Sequence, residues 1–301
     1  MRKAFTETML AKFRSDKRIA ILLGDIGVYG FREAFDEDPN RCINVGIMEQ
    51  SMVGIACGLA KEGYIPFIHT IAPFIVERAY EQIKLNCSYE NVNVNIVTCG
   101  ASYDYSKLGV THQCPNDLKL LNSLPNFTLY CPGNAGEIES IIESQVENRS
   151  PSYIRLSDYE NDLEFNSFGK GKTYRVIRAN GPNLVILVGN AIKQIEGYSK
   201  SLDNISLIYT NVISNESLIN LSSYIKSWVK PPEKVIVVEP STNSGFIDKL
   251  KNLIGNHPQY HHIGIENGFN NYCGDYEHVS RLIKMDDNSI LSCTSEYIEK
   301  T

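Results

Sequence analysis

Short apolar runs alternate with amphipathic stretches through the first half of the chain. Six of these runs predict buried strands, because each is shorter than a typical helix: 18–23, 43–45, 65–68, 92–99, 127–131 and 152–156. The stretches between them predict helices at 3–14, 47–61, 76–85, 117–124 and 135–148. Strands that alternate with helices are typical of an α/β domain with a mostly parallel sheet.

A second α/β unit is predicted in the C-terminal half. Residues 157–182 are polar and without a clear period, which predicts a linker. After it the pattern predicts three strands and two helices: strands 183–188, 206–210 and 234–239, and helices 214–227 and 245–254. We therefore expect two α/β domains, residues 1–165 and 180–301, which agrees with a usual domain length of ~150 residues.

Composition and charge exclude several classes of protein. With 43% hydrophobic and 21% charged residues, the chain has the composition of an ordinary globular protein. A net charge of −6 without a long basic run argues against a nucleic-acid partner. The absence of a long apolar run argues against a signal peptide or a membrane span, and we expect a cytoplasmic protein. The eight cysteines contain no CxxC pair, so we expect reduced thiols and no metal site in this chain.

One segment, residues 44–60, places a lone carboxylate in an unusual setting. Glu49 falls in the first turn of a predicted helix that is otherwise built of apolar and small residues. A first-turn glutamate complements the helix dipole, which is a purely structural interpretation. The helix is too apolar to face solvent, however, so the carboxylate is also expected to be partly buried, where it could donate or accept a proton. The residues alone leave both interpretations open.

A long polar loop, residues 100–117, is the second candidate functional segment. Loops of this length inside a compact domain are more often functional than connecting. The loop contains the sequence GVTHQ and follows two segments with the sequences TIAPF (70–74) and RAYEQI (78–83). Phe74 can still be interpreted as a core aromatic residue, and His112 as a surface histidine.

Taken together, these segments strongly resemble the pyrimidine-binding domain of the thiamine diphosphate-dependent transketolase family. The resemblance lies in NVGI-x-EQ, the small-residue helix, PFI, RAYEQI, G-x-THQ and LPN (124–126). The stretch 234–239 with Gly245 is similar to the transketolase C-terminal domain. The resemblance is most specific over residues 41–132 and weak beyond about 183. It implies an enzyme that moves a two-carbon ketol unit from a ketose to an aldose.

The resemblance also implies roles for individual residues. Glu49 matches the glutamate that bonds the pyrimidine nitrogen of the cofactor and favours the imino tautomer that deprotonates the thiazolium carbon. Phe74 matches the aromatic residue that stacks on the pyrimidine ring. Asp25 and Arg78 match the cofactor side of the site, and His112 matches the histidine that contacts substrate and assists proton transfer.

A partner chain is implied as well. In the family, the diphosphate and Mg²⁺ are bound by an N-terminal domain with a GDG motif, which this sequence does not contain. The resemblance is therefore to the C-terminal subunit of a split, two-chain transketolase. It implies an N-terminal subunit that supplies the Mg²⁺ ligands, a heterotetramer in which this chain also meets a second copy of itself, and activity only in the presence of the partner.

The sequence departs from the family where transketolases hold the sugar phosphate. Arg2 still matches, but the aspartate that contacts a sugar hydroxyl is replaced by Leu108, and an arginine is replaced by Asp158. A serine and a histidine of the family fall at about Tyr29 and Gly100. Losing cations and adding an anion removes charge-assisted bonds to a phosphate. The hypothesis is a nucleotide-linked or unphosphorylated sugar substrate, as in surface-glycan sugar synthesis.

Three alternatives stay open. The β subunit of a 2-oxoacid dehydrogenase shares this layout and cofactor, and half of a deoxyxylulose-phosphate synthase has the same domains. A non-catalytic assembly subunit would explain the lost phosphate ligands, although the retained Glu49, Phe74 and His112 argue against it. The sequence does not identify the donor sugar, the acceptor sugar, the partner or the role of the C-terminal domain.

Overall fold

A computed structural model describes residues 1–164, 167–168, 172–179 and 181–300. The predicted domain limits at 165 and 180 lie outside these residues. Within them, the chain forms two sheets that are covered by helices. The predicted α/β fold class with mostly parallel strands is confirmed.

The first sheet has seven strands. They are β1 (Ile19–Leu23), β2 (Cys42–Asn44), β3 (Ile65–Ile71), β4 (Asn95–Cys99), β5 (Thr128–Tyr130), β6 (Ser152–Arg155) and β10 (Val212–Ile213). Their order across the sheet is β10-β5-β6-β4-β3-β1-β2. All neighbours run parallel except β10, which comes from the second half and pairs antiparallel with β5. The second half thus completes the sheet of the first half.

The second sheet has five strands. They are β7 (Arg175–Ala179), β8 (Asn183–Val188), β9 (Ile205–Thr210), β11 (Lys234–Val238) and β12 (Gln259–Ile263), in the order β12-β11-β8-β9-β7. The three central strands are buried along their whole length. This explains their continuous apolar sequences, since a strand covered on both faces does not alternate.

Helices cover the sheets through apolar stripes. In α1, Phe5, Met9 and Phe13 recur every four residues and are buried against the first sheet. The helices are α1 (Arg2–Ser15), α2 (Arg32–Glu37), α3 (Glu49–Lys61), α4 (Ala72–Val76), α5 (Tyr80–Gln82), α6 (Asp117–Asn122), α7 (Ile138–Glu147), α8 (Ile195–Ser201), α9 (Asn215–Lys226), α10 (Phe246–Ile254), α11 (Tyr276–Leu282) and α12 (Asp287–Glu299). A π-helical segment, Ile83–Tyr89, continues α5.

The structure corrects several predicted elements. The expected linker at 157–182 contains β7, and the expected helix at 76–85 is instead α4, α5 and the π-helical segment. β3 is longer than the strand predicted at 65–68 and runs on to Ile71. The prediction ended too early because His69 and Thr70 are polar, although both are buried in the structure. The Nδ1 atom of His69 lies 2.9 Å from the carbonyl oxygen of Val97, which satisfies that ring nitrogen inside the sheet. Six elements had no sequence prediction: α2, α8, α11, α12, β10 and β12.

Candidate active site

The parallel first sheet gathers the predicted site residues at one edge. Most of them follow the carboxyl end of a strand: Asp25 after β1, Glu49 after β2, Phe74 and Arg78 after β3, Leu108 and His112 after β4, and Asp158 after β6. In open parallel sheets, ligands bind outside this edge. The topology therefore explains why residues that are far apart in sequence can form one site.

Glu49 is the first residue of α3 and is only 1% exposed. Its Oε2 atom accepts a hydrogen bond from Nη1 of Arg78 at 2.7 Å, and its Oε1 atom accepts one from the Thr70 hydroxyl at 3.3 Å. Each carboxylate oxygen can accept two bonds, so both keep acceptor capacity. The predicted burial of this carboxylate is thus present in the structure, and it also lies at the favourable end of the helix dipole.

Arg78 links Glu49 to Phe74. Its side chain is 44% exposed, and its guanidinium carbon lies 4.6 Å from the centroid of the Phe74 ring. A guanidinium at this distance from an aromatic ring is attracted by the ring quadrupole. The backbone oxygen of Arg78 accepts a hydrogen bond from Nε2 of Gln50 at 3.2 Å, which ties the arginine to the first turn of α3 a second time.

His112 completes a continuous row of contacts. Its ring meets the half-buried ring of Phe74 edge to face, with the centroids 5.1 Å apart and the planes at 70°. His112 ends a short 3₁₀ turn that begins after Gly109, whose φ of +76° is a conformation that favours glycine. Glu49, Arg78, Phe74 and His112 therefore form one cluster, which we call the carboxylate–histidine cluster.

Asp25 lies in the turn after β1 and is held by Asn44 at the end of β2. Its backbone N–H donates to Oδ1 of Asn44 at 3.0 Å, and Nδ2 of Asn44 donates back to Oδ1 of Asp25 at 3.1 Å. Asn44 Oδ1 also accepts from the N–H of Gly46 at 3.2 Å. Asn44 thereby ties the turn after β1 to the segment that leads into Glu49. Asn44 stands in the NVGI-x-EQ motif, but the sequence alone predicts no role for it.

Two of the residues predicted near the substrate, Arg2 and Gly100, lie around Tyr105, and we call this region the substrate end. Nη1 of Arg2 donates to the Tyr105 hydroxyl at 3.3 Å. Gly100, with a φ of +72°, lies under the same ring, and a Cβ atom there would come within 2.7 Å of it. Tyr105 thus occupies the space that a side chain at position 100 would need. Tyr105 was not predicted as a site residue, because the loop that carries it has no periodic pattern.

Asp158 and Leu108 flank this region. Leu108 is 58% exposed, and Asp158 is also exposed. The backbone N–H of Asp158 donates to Oδ2 of Asp104 at 3.0 Å, and the Ser157 hydroxyl donates to Oδ1 of Asp104 at 3.0 Å. Burial raises the pKa of Asp104 to about 7. The substrate end therefore combines one exposed arginine with two carboxyl groups.

A cavity of about 720 Å³ adjoins the substrate end. It lies between the 104–108 segment and α11. Its wall includes Tyr105 and Leu108 from the first half and Tyr276 and Arg281 from the second half. The site is thus bordered by both halves of the chain.

Buried polar contacts anchor the loop that carries His112. Nε of Arg155 donates to Oδ2 of Asp117 at 2.7 Å, and Nη2 of Arg155 donates to the Ser102 hydroxyl. The Ser102 hydroxyl in turn donates to the backbone oxygen of Pro240 in the second half. Further along the loop, the Ser106 hydroxyl donates to the backbone oxygen of Gly274 at 2.7 Å. The second half therefore helps to position the His112 loop.

Across residues 1–164, 167–168, 172–179 and 181–300, we find no group of three or more His, Cys, Asp or Glu side chains that could hold a metal ion. In the same part of the chain, we find no helix with both the length and the hydropathy needed to cross a membrane.

Comparison with known proteins agrees with this geometry. The family model described as "Transketolase, pyrimidine binding domain" matches residues 1–160. The chain belongs to the transketolase family. It is 30% identical over 227 residues to a protein of Actinobacillus succinogenes that is named as one subunit of an apulose-4-phosphate transketolase. That match covers 71% of this chain and 70% of the other protein.

Two further proteins are similar to this transketolase homologue over most of its length. It is 33% identical over 255 residues to an uncharacterized 33.6 kDa protein in the fasciation locus of Rhodococcoides fascians, covering 85% of this chain and 80% of that protein. A solved split-gene transketolase, described as an inactive β4 tetramer, matches with a TM-score of 0.82 at 20% identity, covering 99% of this chain and 98% of the other. At that identity the structural match shows the fold. Together, these findings support a C-terminal subunit of a split transketolase.

Membership of the family implies dependence on thiamine diphosphate, and the residues present fit the pyrimidine end of that cofactor. The fit rests on a buried carboxylate with spare acceptor capacity, Glu49, in a cluster with a half-buried aromatic ring, Phe74. A flat heteroaromatic ring with polar nitrogens is bound by a hydrogen-bond partner for its nitrogens and by an aromatic side chain that packs against its face.

Proposed function

We propose that this chain is the C-terminal subunit of a thiamine diphosphate-dependent transketolase that moves a two-carbon ketol unit from a ketose to an aldose and is active only with its N-terminal partner. The observation that carries the proposal is the carboxylate–histidine cluster at the carboxyl edge of the first sheet. The partner would bind the diphosphate and Mg²⁺. The complete enzyme would be a heterotetramer, so that the cofactor lies between two chains.

The roles follow from the contacts. Thiamine diphosphate, when bound, supplies the carbon nucleophile that carries the two-carbon unit. Glu49 would bond a nitrogen of its pyrimidine ring, and Phe74 would stack on that ring. Arg78 orients the Glu49 carboxylate, while Asp25 would border the cofactor from the turn after β1. His112 would contact the substrate and exchange a proton with one of its hydroxyl groups.

We further propose that the substrate is not an ordinary sugar phosphate. Arg2 is the matching cation at the substrate end, where Asp158 adds a negative charge and Leu108 offers an apolar side chain. A phosphate dianion is held best by several charge-assisted bonds, which this arrangement does not favour. A nucleotide-linked or unphosphorylated sugar is a better match, and the adjoining cavity of about 720 Å³ offers room for a larger substituent. Such a substrate would suit surface-glycan sugar synthesis.

Calorimetry tests the two-chain proposal directly. Binding of thiamine diphosphate with Mg²⁺ would be measured for this chain alone and for its mixture with the N-terminal protein encoded beside it. We expect binding by the mixture only. Tight binding by this chain alone would contradict a shared site. Ketol transfer by the mixture would then be compared between xylulose 5-phosphate with ribose 5-phosphate and a panel of nucleotide-linked and unphosphorylated sugars.

Substitution of Glu49 separates the remaining alternatives. In the reconstituted enzyme, Glu49→Gln should lower turnover at least about a hundredfold, the usual contribution of a group that acts on proton transfer. Glu62→Gln, at the exposed end of the same helix, is the matched control and should leave turnover unchanged. Unchanged turnover in Glu49→Gln would instead indicate a non-catalytic assembly subunit. Decarboxylation of a 2-oxoacid would indicate the dehydrogenase alternative.

Three coarser expectations are part of the same proposal. We propose residues 1–165 and 180–301 as the two domains, in line with the family match to 1–160. The net charge of −6 supports a protein without a nucleic-acid partner. The eight free cysteines, six of them buried, support a reducing, cytoplasmic location without a membrane partner.

A further inference from the structure

Two thiols meet where α3 packs against the π-helical segment. Cys57 lies in α3 and Cys87 in the π-helical segment, and their Sγ atoms are 3.4 Å apart. The two residues are 30 positions apart, so the fold brings them together. Among the described residues, this is the one contact between two cysteine sulfurs.

The two thiols differ in ways that suit oxidation. Cys57 is 4% exposed and Cys87 is fully buried, so Cys57 is the thiol nearer to solvent. The hydrogen-bond contact between the two sulfurs lowers the pKa of the Cys57 thiol and raises that of Cys87, which makes Cys57 the better nucleophile. Lys61, one turn along α3, pairs with Glu90 at 3.0 Å just beyond the π-helical segment. This ion pair joins the same two regions of the chain beside the thiols.

We propose that Cys57 and Cys87 form a redox-active pair that a hydroperoxide oxidises to an intramolecular disulfide. The Cys57 thiolate attacks one peroxide oxygen, the O–O bond breaks, and a sulfenic acid and hydroxide form. Cys87 then attacks the sulfenic sulfur, so that an S–S bond forms and the S–O bond breaks. The Cys87 proton leaves with the departing hydroxide as water. The two sulfurs supply both electrons that reduce the peroxide.

The local structure allows this step. Formation of a bond of ~2.05 Å from a separation of 3.4 Å requires the sulfurs to approach by about 1.4 Å. Cys87 stands in a π-helical segment, a local irregularity that often occurs at functional positions. The bond would tie α3, which begins at Glu49, to the segment that follows Arg78. Oxidation would thus restrain the two elements that flank the Glu49–Arg78 ion pair, and this inference does not depend on the proposed function.

Mass spectrometry of the full chain tests the proposal. The probe is hydrogen peroxide, added to a Cys273→Ser background because Cys273 is the exposed thiol that could cross-link two molecules. We expect a loss of about 2 Da, a cross-linked peptide that joins positions 57 and 87, and reversal by a dithiol reductant. Cys57→Ser and Cys87→Ser should each abolish the cross-link. Cys42→Ser, which removes an equally buried thiol, should leave it intact.

The same experiment can overturn the proposal. If both thiols stay free under conditions that oxidise the wild-type Cys273, or if Cys57 gains oxygen without forming the cross-link, Cys57 and Cys87 are not a disulfide-forming pair and the proposal is wrong. Differential alkylation of the unsubstituted chain, before and after peroxide and reductant, gives the answer without any variant. A folding defect in a serine variant therefore does not leave the question open.

Discussion

Removal of the Asp117 carboxylate tests what holds the His112 loop to the second half of the chain. In Asp117→Ala, the Arg155 guanidinium loses the carboxylate that lies 2.7 Å from its Nε atom. The Tyr153 hydroxyl loses the same acceptor at 2.8 Å. Both Asp117 and Arg155 are at most 1% exposed, so water cannot readily replace the missing partner. Arg155 also contacts Ser102, near the start of the loop, so the disturbance should reach that loop.

Because the Asp117–Arg155 ion pair is buried, its loss should lower the free energy of unfolding by more than the loss of a surface ion pair would. Removal of one partner of a buried ion pair destabilises a protein by about 3–5 kcal/mol, because an uncompensated charge remains. With a urea dependence of about 3 kcal/mol per molar for a chain of this size, the unfolding midpoint should fall by about 1–1.7 M. The matched control is Lys200→Ala, which removes an ion pair whose side chains are 74% and 73% exposed. It should change the free energy of unfolding by no more than about 0.5 kcal/mol.

Urea unfolding followed by the fluorescence of the single tryptophan, Trp228, measures both variants. A second comparison separates charge from packing: Asp117→Leu combined with Arg155→Met removes both charges and should recover part of the loss. If Asp117→Ala shifted the midpoint no more than Lys200→Ala does, the buried pair would not anchor the loop. The same conclusion would follow if the double variant were less stable than Asp117→Ala.

Three further predictions concern the substrate end and the dependence on pH. In the reconstituted enzyme, Tyr105→Phe removes the hydrogen-bond partner of Arg2. This variant should raise KM about 2–10-fold with little change in kcat. An unchanged KM would show that the Arg2–Tyr105 contact does not contribute to substrate binding. Because burial raises the pKa of Asp104 to about 7, between about pH 4 and 7 this carboxyl holds a proton in the folded state that it has lost in the unfolded state, so the contribution of Asp104 to stability falls as the pH rises through that range. The thermal midpoint of Asp104→Asn should lack this fall, and a curve parallel to wild type would contradict it. Burial lowers the pKa of His69 to about 4, so the contribution of His69 to stability falls as the pH drops from about 6.5 to 4, which is opposite in sign to the contribution of Asp104. Relative to wild type, the melting curves of His69→Gln should lose this decline at low pH.

The central strands were the most predictable part of the fold. Where a strand is buried on both faces, as in β1 and β8, its apolar run marks it directly. β3 was predicted too short because His69 and Thr70 are polar, yet the fold buries both and supplies their hydrogen-bond partners. β10 has only two residues, which is too short for any periodic signal.

The candidate site was predictable only in part, because its contacts are tertiary. The burial of Glu49 follows from the apolar helix in which it lies, so sequence reasoning reached it. The ion pair to Arg78 joins residues 29 positions apart, and no local pattern reports such a contact. Tyr105 and Asp104 lie in an irregular loop, where neither helical nor strand periodicity applies. They became visible only when the fold placed them beside Arg2 and Asp158.

The pairing of β10 with β5 affects how the chain can fold during synthesis and where a stable fragment can end. Until residues 212–213 leave the ribosome, the backbone of β5 has an open edge, and an open edge can pair with a strand of another molecule. A fragment that stops at residue 165 would keep that edge permanently. The pairing therefore makes the second half a folding partner of the first, and a fragment meant to preserve the intact first sheet has to extend through Ile213.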